Sequence, residues 1–337
     1  MPTEEHIDRR HCLVTGGAGF IGSHVTARLV ALGHRVRVVD DLSTGKESNL
    51  STVAGDIELL RGDLCDPDVS RRAVEGVEVV FHLAALASVP ASLIDPWACH
   101  AANVNGTMRL LEACARAKVQ RIVYSSSSAV YGDTEIAAKA EAAEPEPRSP
   151  YAASKLAGEQ YVMAFARAGV FEGVALRYFN VFGPRQTPGS AYAAVVPNFL
   201  QAALDQRPAQ VYGDGQQTRD FIYVDNVVDA NLLAAMRPAG VVNGWVVNVG
   251  AGRRTSVLDL IDAIGGVAGH RLTCTMSPAR AGDVRDSLAC MQRARRVLGF
   301  EPRVSLEEGL RDTWNWLSGG AAHTARRSAR PAQQPAA

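Results

Sequence analysis

The chain has 337 residues, 47% of them hydrophobic, with 35 basic and 35 acidic side chains and a mean hydropathy of −0.03. That is length enough for a full-sized core in one large domain or two closely joined ones. A net charge of zero speaks against a general nucleic-acid or membrane-surface partner. The polar N-terminus offers no signal-peptide core, and no apolar run reaches membrane length. The six cysteines (Cys12, Cys65, Cys99, Cys114, Cys274, Cys290) form no CxxC pair and no zinc-spaced cluster with histidine. They are expected to be free thiols, mostly buried, in a reducing cytoplasmic setting, and no metal site is expected.

In chain order, His11 to Thr15 reads as a buried strand and Phe20 to Leu32 has helical spacing. Between them lies Thr15-Gly16-Gly17-Ala18-Gly19-Phe20-Ile21-Gly22. A turn with Gly16, Gly19 and Gly22 lets the backbone approach a pyrophosphate, and Phe20 and Ile21 then open a helix whose amides face its charge. Val36 to Asp40 is a second strand that ends in an acid, as a ribose-binding carboxylate should. A carboxylate there repels a 2′-phosphate, and no arginine follows it, so NAD is favoured over NADP. Asp41-Leu42-Ser43-Thr44-Gly45 is a polar loop suited to the adenosine side of the cofactor.

Ile57 to Arg61 is a third strand, followed by Asp63 and Leu64 at the adenine edge. Val77 to Leu83 is a fourth, and the small residues of Leu83-Ala84-Ala85 leave room for the cofactor at its end. One helix is expected from Pro96 to Ala117, carrying Asn103, and a fifth strand from Arg121 to Tyr124. Helical spacing returns over Tyr151 to Ala168, and Val174 to Tyr178 is a further strand. This alternation predicts a doubly wound parallel sheet of Rossmann type with helices on both faces. Shorter elements follow: helices at Val195 to Leu204 and Asn226 to Met236, strands at Ala209 to Tyr212 and Asp220 to Val224, and helices starting near Ser256 and Ser305. The expected division is an NAD-binding domain over 1–180 with return segments from the second half, an interleaved substrate lobe over 181–318, and a disordered tail over 319–337.

The chemistry gathers at two places. Ser125-Ser126-Ser127-Ser128 follows the fifth strand, and Tyr151 and Lys155 share one helix face a turn apart. A tyrosine has a free pKa of ~10 and is a poor base near neutrality. The Lys155 ammonium and the positive ring of an oxidised nicotinamide both favour its phenolate, and a serine hydroxyl can relay the substrate proton.

The glycine turn, the run SSSSAVYG over 125–132, YxxxK at Tyr151 and Lys155, and Arg177-Tyr178-Phe179-Asn180 together resemble the extended short-chain dehydrogenase/reductases. Within them the chain is similar to the nucleotide-sugar 4-epimerases, the UDP-glucose and UDP-N-acetylglucosamine group, from about residue 11 to 317. The resemblance implies that Tyr151 takes the proton of the sugar 4-hydroxyl while hydride leaves carbon 4 for NAD. Lys155 holds the nicotinamide ribose and Ser127 bridges the 4-oxygen and the phenol. The 4-keto sugar turns over in the pocket before hydride returns to its other face. Asn103, Ser125 and Phe179 are implied cofactor neighbours. Asn180, Tyr212, Arg219, Arg280 and Asp283 are the implied grip on uridine and diphosphate, with arginine forks suited to phosphate. A homodimer is implied, built from the helices near 96–117 and 151–168.

In this family a residue four positions beyond the Asp of Arg-x-Gly-Asp limits the sugar, and here it is Ser287. Serine leaves space beside carbon 2 for an N-acetyl group. Ser88 and the stretch 189–197, with Ala194 and Val195, also resemble the acetyl-accepting members, as does Ala87 where some UDP-glucose enzymes carry lysine. The expected substrates are UDP-GlcNAc and UDP-GalNAc, with UDP-Glc and UDP-Gal beside them. Cys290 stands where the family often has an acid. Ser128-Ala129 stands where dehydratases carry Asp-Glu, which argues against that chemistry. A UDP-glucuronate epimerase or decarboxylase needs one more cation, for which Arg185 is the candidate. A non-catalytic NAD-sensing protein is the remaining alternative, opposed by the retention of Tyr151, Lys155 and Ser127.

Overall fold

The computed structural model describes residues 9–133, 138–187, 195–279 and 284–319. The first half alternates strands β1 (His11–Thr15), β2 (Arg35–Asp40), β3 (Ile57–Arg61), β4 (Val79–His82), β5 (Arg121–Ser127) and β6 (Glu172–Tyr178) with helices. The helices are α1 (Phe20–Ala31), α2 (Pro67–Ala73), α3 (Val89–Ile94), α4 (Pro96–His100), α5 (Gly106–Ala117) and α6 (Pro150–Arg167). Further along come β7 (Asn180–Phe182), α7 (Val195–Leu204), β8 (Ala209–Tyr212), β9 (Thr218–Arg219), β10 (Phe221–Tyr223), α8 (Val224–Met236) and α9 (Ala239–Val242). The last elements are β11 (Trp245–Val249), β12 (Thr255–Ser256), α10 (Val257–Ala268), β13 (Cys274–Ser277) and α11 (Leu306–Leu317).

Seven strands form one sheet in the order β11-β6-β5-β4-β1-β2-β3, every pair parallel. The strands are near-continuous apolar runs because both faces are covered. Alternate residues feed opposite layers: Val14, Val38, Phe81 and Val123 pack with α1 and α8, while Leu13, Val39, Val80 and Ile122 pack with α5 and α6. Smaller strand pairs β7–β10, β8–β13 and β9–β12 belong to the second half, whose own core holds Phe182, Phe199, Leu200, Val211, Ile261 and Leu310.

Three departures from the sequence expectation matter for the site. The expected helix from Pro96 to Ala117 forms, but with a π turn over Ala101–Asn105 inside it. Strand β5 continues through Ser127, because Ser125, Ser126 and Ser127 pair with Leu176, Arg177 and Tyr178 of β6. Strand β11, from the second half, closes the main sheet beside β6. All six cysteines are free; Cys12, Cys99 and Cys114 are buried and the other three are half-buried. Among the described residues no helix is long and apolar enough to cross a membrane.

Candidate active site

Strand β1 ends at Thr15 and the chain turns through Gly16, held at φ +66°, where a Cβ would lie 2.8 Å from the backbone of Ala84. A Cβ on Gly22 would lie 2.1 Å from the Gly16 carbonyl oxygen. The turn is thus folded on itself and against the exit of β4, and only glycine fits these contacts. Helix α1 starts beyond it with no side-chain cap and no acid in its first turn. The helix's own side chains therefore leave its first amides uncapped, which suits a diphosphate. Asp40, 7% exposed, closes β2, and its carboxylate accepts from Ala18 N at 2.9 Å and Leu42 N at 2.9 Å. Burial raises its pKa while these amides lower it. A Cβ on Gly45 would lie 2.8 Å from Asp40 Oδ1, and Asn49 donates to the Ala18 carbonyl, so the loop with Asp41, Ser43 and Thr44 is laced to the glycine turn. The donor set fits NAD: uncapped helix amides for the pyrophosphate, and a carboxylate in a polar loop for the ribose.

Across the sheet, β5 delivers Ser127 and α6 delivers Tyr151 and Lys155. Ser149 caps α6 by accepting from Ala152 N, and Pro150 sits in its first turn. The Ser127 hydroxyl neighbours the Tyr151 phenol. Burial pushes the phenol above its ordinary value and the neighbouring Ser127 hydroxyl pulls it back. Lys155 is 3% exposed, and burial lowers its pKa to about 8. Its ammonium rests 4.8 Å above the Tyr124 ring. The peptide of Tyr151 is held at both ends: its N–H donates to Ser92 Oγ at 3.1 Å and its carbonyl accepts from Ser154 Oγ at 2.8 Å.

The other serines of the run have separate duties. Ser125 is buried near the Tyr178 hydroxyl, which donates to Asn231 Oδ1 at 2.9 Å. Ser126, pointing to the opposite face, donates to Glu159 at 2.7 Å, and Glu159 is fully buried in a two-point pair with Arg177. Asn103, expected beside the cofactor, is 1% exposed and bonded within the protein: Oδ1 accepts from Leu86 N, and Nδ2 donates to Leu86 O and Ser154 Oγ. Leu64 and Phe179 are buried, and Leu83, Ala84 and Ala85 are half-buried at the end of β4. Asp63 accepts from Cys65 N. Ser88 caps α3 by accepting from Ala91 N at 3.2 Å, which leaves its proton for a ligand.

On the substrate side the Thr218–Arg219 strand and the segment 285–287 run together. Ser287 N donates to Thr218 O, and Arg219 Nη1 donates to the carbonyls of Thr218 and Arg285. Both Arg219 and Ser287 are half-buried. Asn180 starts β7, and its N–H donates to Asp220 O. Tyr212 is half-buried at the end of β8, and Val195 opens α7. Ala194, Arg280 and Asp283 lie outside the described residues.

Sequence reasoning missed Gly158 and Asp220. A Cβ on Gly158 would sit 2.2 Å from Tyr124 Oη, so its absence lets α6 lie close on β5. Asp220, fully buried, accepts from Ala251 N, Gly252 N and Ala289 N, and burial raises its pKa to about 6. Neither position carries a sequence signal beyond residue type.

A parallel doubly wound sheet, a glycine turn into an uncapped helix, and a Ser–Tyr–Lys constellation at the strand ends define a dinucleotide-dependent enzyme of short-chain dehydrogenase type. The chain belongs to the NAD dependent epimerase/dehydratase family, whose model matches residues 12–250. It is 42% identical over 305 residues to a UDP-glucose 4-epimerase of Mycolicibacterium smegmatis, covering 89% of this chain and 96% of the relative. Among solved structures it is similar to a UDP-N-acetylglucosamine 4-epimerase from Methanobrevibacter ruminantium in complex with UDP-N-acetylmuramic acid. That likeness has a TM-score of 0.87 and 37% identity, over 93% of this chain and 99% of the other. It is also similar to a UDP-glucuronic acid 4-epimerase from Bacillus cereus in complex with UDP-4-deoxy-4-fluoro-glucuronic acid and NAD. There the TM-score is 0.84 and the identity 30%, over 92% and 99% of the two chains.

Proposed function

We propose that the protein is an NAD-dependent UDP-sugar 4-epimerase acting on UDP-GlcNAc and UDP-GalNAc, and on UDP-Glc and UDP-Gal as well. The observation that carries this reading is the convergence of Ser127, at the end of β5, with Tyr151 and Lys155, one turn apart on α6. Gly16, Gly19 and the first turn of α1 hold the pyrophosphate, Asp40 the adenosine ribose and Lys155 the nicotinamide ribose. When bound, NAD supplies a hydride acceptor for carbon 4 and the source of its return. Tyr151 Oη takes the proton of the 4-hydroxyl and gives it back. Ser127 Oγ keeps that oxygen within reach on both passes. Arg219, with Arg280 and Asp283, grips the nucleotide, so the sugar alone turns over.

The acetyl preference rests on Ser287, a small half-buried side chain beside Arg219. It is tested by turnover of the four UDP-sugars in wild type and in Ser287→Tyr. The tyrosine is expected to lower kcat/KM for the acetylated pair ~10-fold or more while sparing the plain pair, on the scale of a filled pocket. Equal loss on both pairs rejects the size argument. A second reading, a UDP-sugar with a carboxylate, is favoured by Arg185. Its Nη1 is buried with no hydrogen-bond partner among the described residues, and its backbone is left-handed at φ 69°. Including UDP-glucuronate in the same assay separates the two.

A homodimer through the helices near 96–117 and 151–168 is part of this proposal. It is supported by Leu93, Ile94 and Trp97 on α3 and α4, which are 63%, 69% and 80% exposed. Six free cysteines support a cytoplasmic setting.

A further inference from the structure

Behind the catalytic residues runs a continuous chain of buried polar groups. The Thr15 hydroxyl accepts from Leu83 N at 3.1 Å and Ala84 N at 3.1 Å, so its single proton goes to His82 Nδ1 at 2.7 Å. His82 then carries its own proton on Nε2 and donates to Thr107 Oγ1 at 2.9 Å. Thr107 in turn donates to the Asn103 carbonyl at 2.6 Å. The Asn103 amide donates to Ser154 Oγ at 2.9 Å, and Ser154 donates to the carbonyl of Tyr151 at 2.8 Å. Every donor has an acceptor, and each of Thr15, His82, Thr107 and Asn103 is at most 1% exposed.

We propose that His82 is a positioning residue, fixed as the Nε2–H tautomer, that ties the cofactor-facing ends of β1 and β4 to the peptide of Tyr151 and so sets turnover. The inference rests on the epimerase reading above. Three observations carry it. The chain begins at the turn where Gly16 and Ala84 touch and ends at the catalytic tyrosine, so its two termini are both functional. It passes through the π turn, where Gly106 N–H reaches back to Ala101 O, which is the kind of helix irregularity that accompanies function. And the imidazole packs against the same Tyr124 ring, at 5.6 Å between centroids, over which the Lys155 ammonium rests. An imidazolium at this place would confront Lys155. Burial and that ammonium hold the His82 pKa down to about 3, so the ring stays neutral. A buried polar chain is no better than apolar packing for stability alone, but it fixes one geometry.

The test uses the full chain loaded with NAD, with kcat and KM on UDP-sugar, bound nucleotide and Tm measured together. Thr107→Val keeps the shape and removes the hydroxyl, leaving His82 Nε2–H without its acceptor. Its kcat is expected to fall ~10-fold or more, as for a displaced catalytic group, with KM within about two-fold of wild type and NAD retained. Thr107→Ser, which restores the hydroxyl, is expected to recover most of that loss. His82→Gln keeps one donor and one acceptor on a flexible stem, and is expected to fold and still lose turnover. Wild-type kcat in a folded Thr107→Val or His82→Gln protein overturns the proposal, as does a loss that serine does not repair. A wild-type protein that epimerises no UDP-sugar rejects the underlying reading, and this inference with it.

Discussion

At the scale of single residues, the two ionisable groups of the site are both displaced by burial, in opposite senses. The phenol of Tyr151 is pushed up and the ammonium of Lys155 is pushed down to about 8. In the proposed reaction the positive ring of the oxidised cofactor would add to Lys155 in favouring the phenolate. Tyr151→Phe is expected to lower epimerase kcat by ~10²–10⁴-fold, the range for a lost general base, while UDP titration by calorimetry stays unchanged. Lys155 makes a prediction in the other direction. Its folded value lies below the ordinary 10.5, so the folded protein binds fewer protons than the unfolded chain. Stability is lowest below pH ~8 and rises as pH climbs from there toward the unfolded value of ~10.4. Lys155→Met removes that slope. In the cofactor-free protein it is expected to be more stable at neutral pH by ~1–3 kcal/mol, and inactive. Urea unfolding at neutral and alkaline pH checks both statements.

Whole elements are placed by contacts that no local pattern announces. Helix α6 lies on β5 because Gly158 has no side chain where Tyr124 Oη sits. Tyr124 is 1% exposed and donates to the Lys155 carbonyl, so it cannot swing away. Gly158→Ala is expected to lift the helix, destabilise the fold by ~1–3 kcal/mol as overpacking does, and lower kcat through Tyr151 and Lys155 together. Thermal unfolding and steady-state rates measure the two effects. In the sequence Gly158 reads only as a mild helix weakener. Asn103 was legible as a helix residue, but its bonds to Leu86 and Ser154 are made from the π turn between α4 and α5. Serines at 125–127 have little strand preference, and β6 alone extends β5 through them.

For the whole molecule, the two halves are interlocked: β11 returns from the second half to edge the main sheet, and Asp220 ties β10 to the exit of β11 and to Ala289. The exposed Leu93, Ile94 and Trp97 leave an apolar face on α3 and α4, which is expected to be covered by a second copy. The double variant Leu93→Ser/Trp97→Ser is expected to be a monomer by light scattering, and wild type a dimer; a monomeric wild type rejects the paired face. The amino-acid sequence by itself determined the strand–helix alternation, the glycine turn, Asp40, the serine run and the Tyr151–Lys155 pair, because each depends on local periodicity or spacing that side-chain chemistry makes readable, while the choice of Ser127 within the run came from the family resemblance. Only the tertiary structure decided that β11 joins the sheet, that Ser126 bonds Glu159 of α6, that Asn103 bonds Leu86 and Ser154, and that His82 joins the ends of two strands to a helix. Those outcomes depend on which distant backbone groups come within hydrogen-bond reach, a property of the folded chain rather than of any stretch of it.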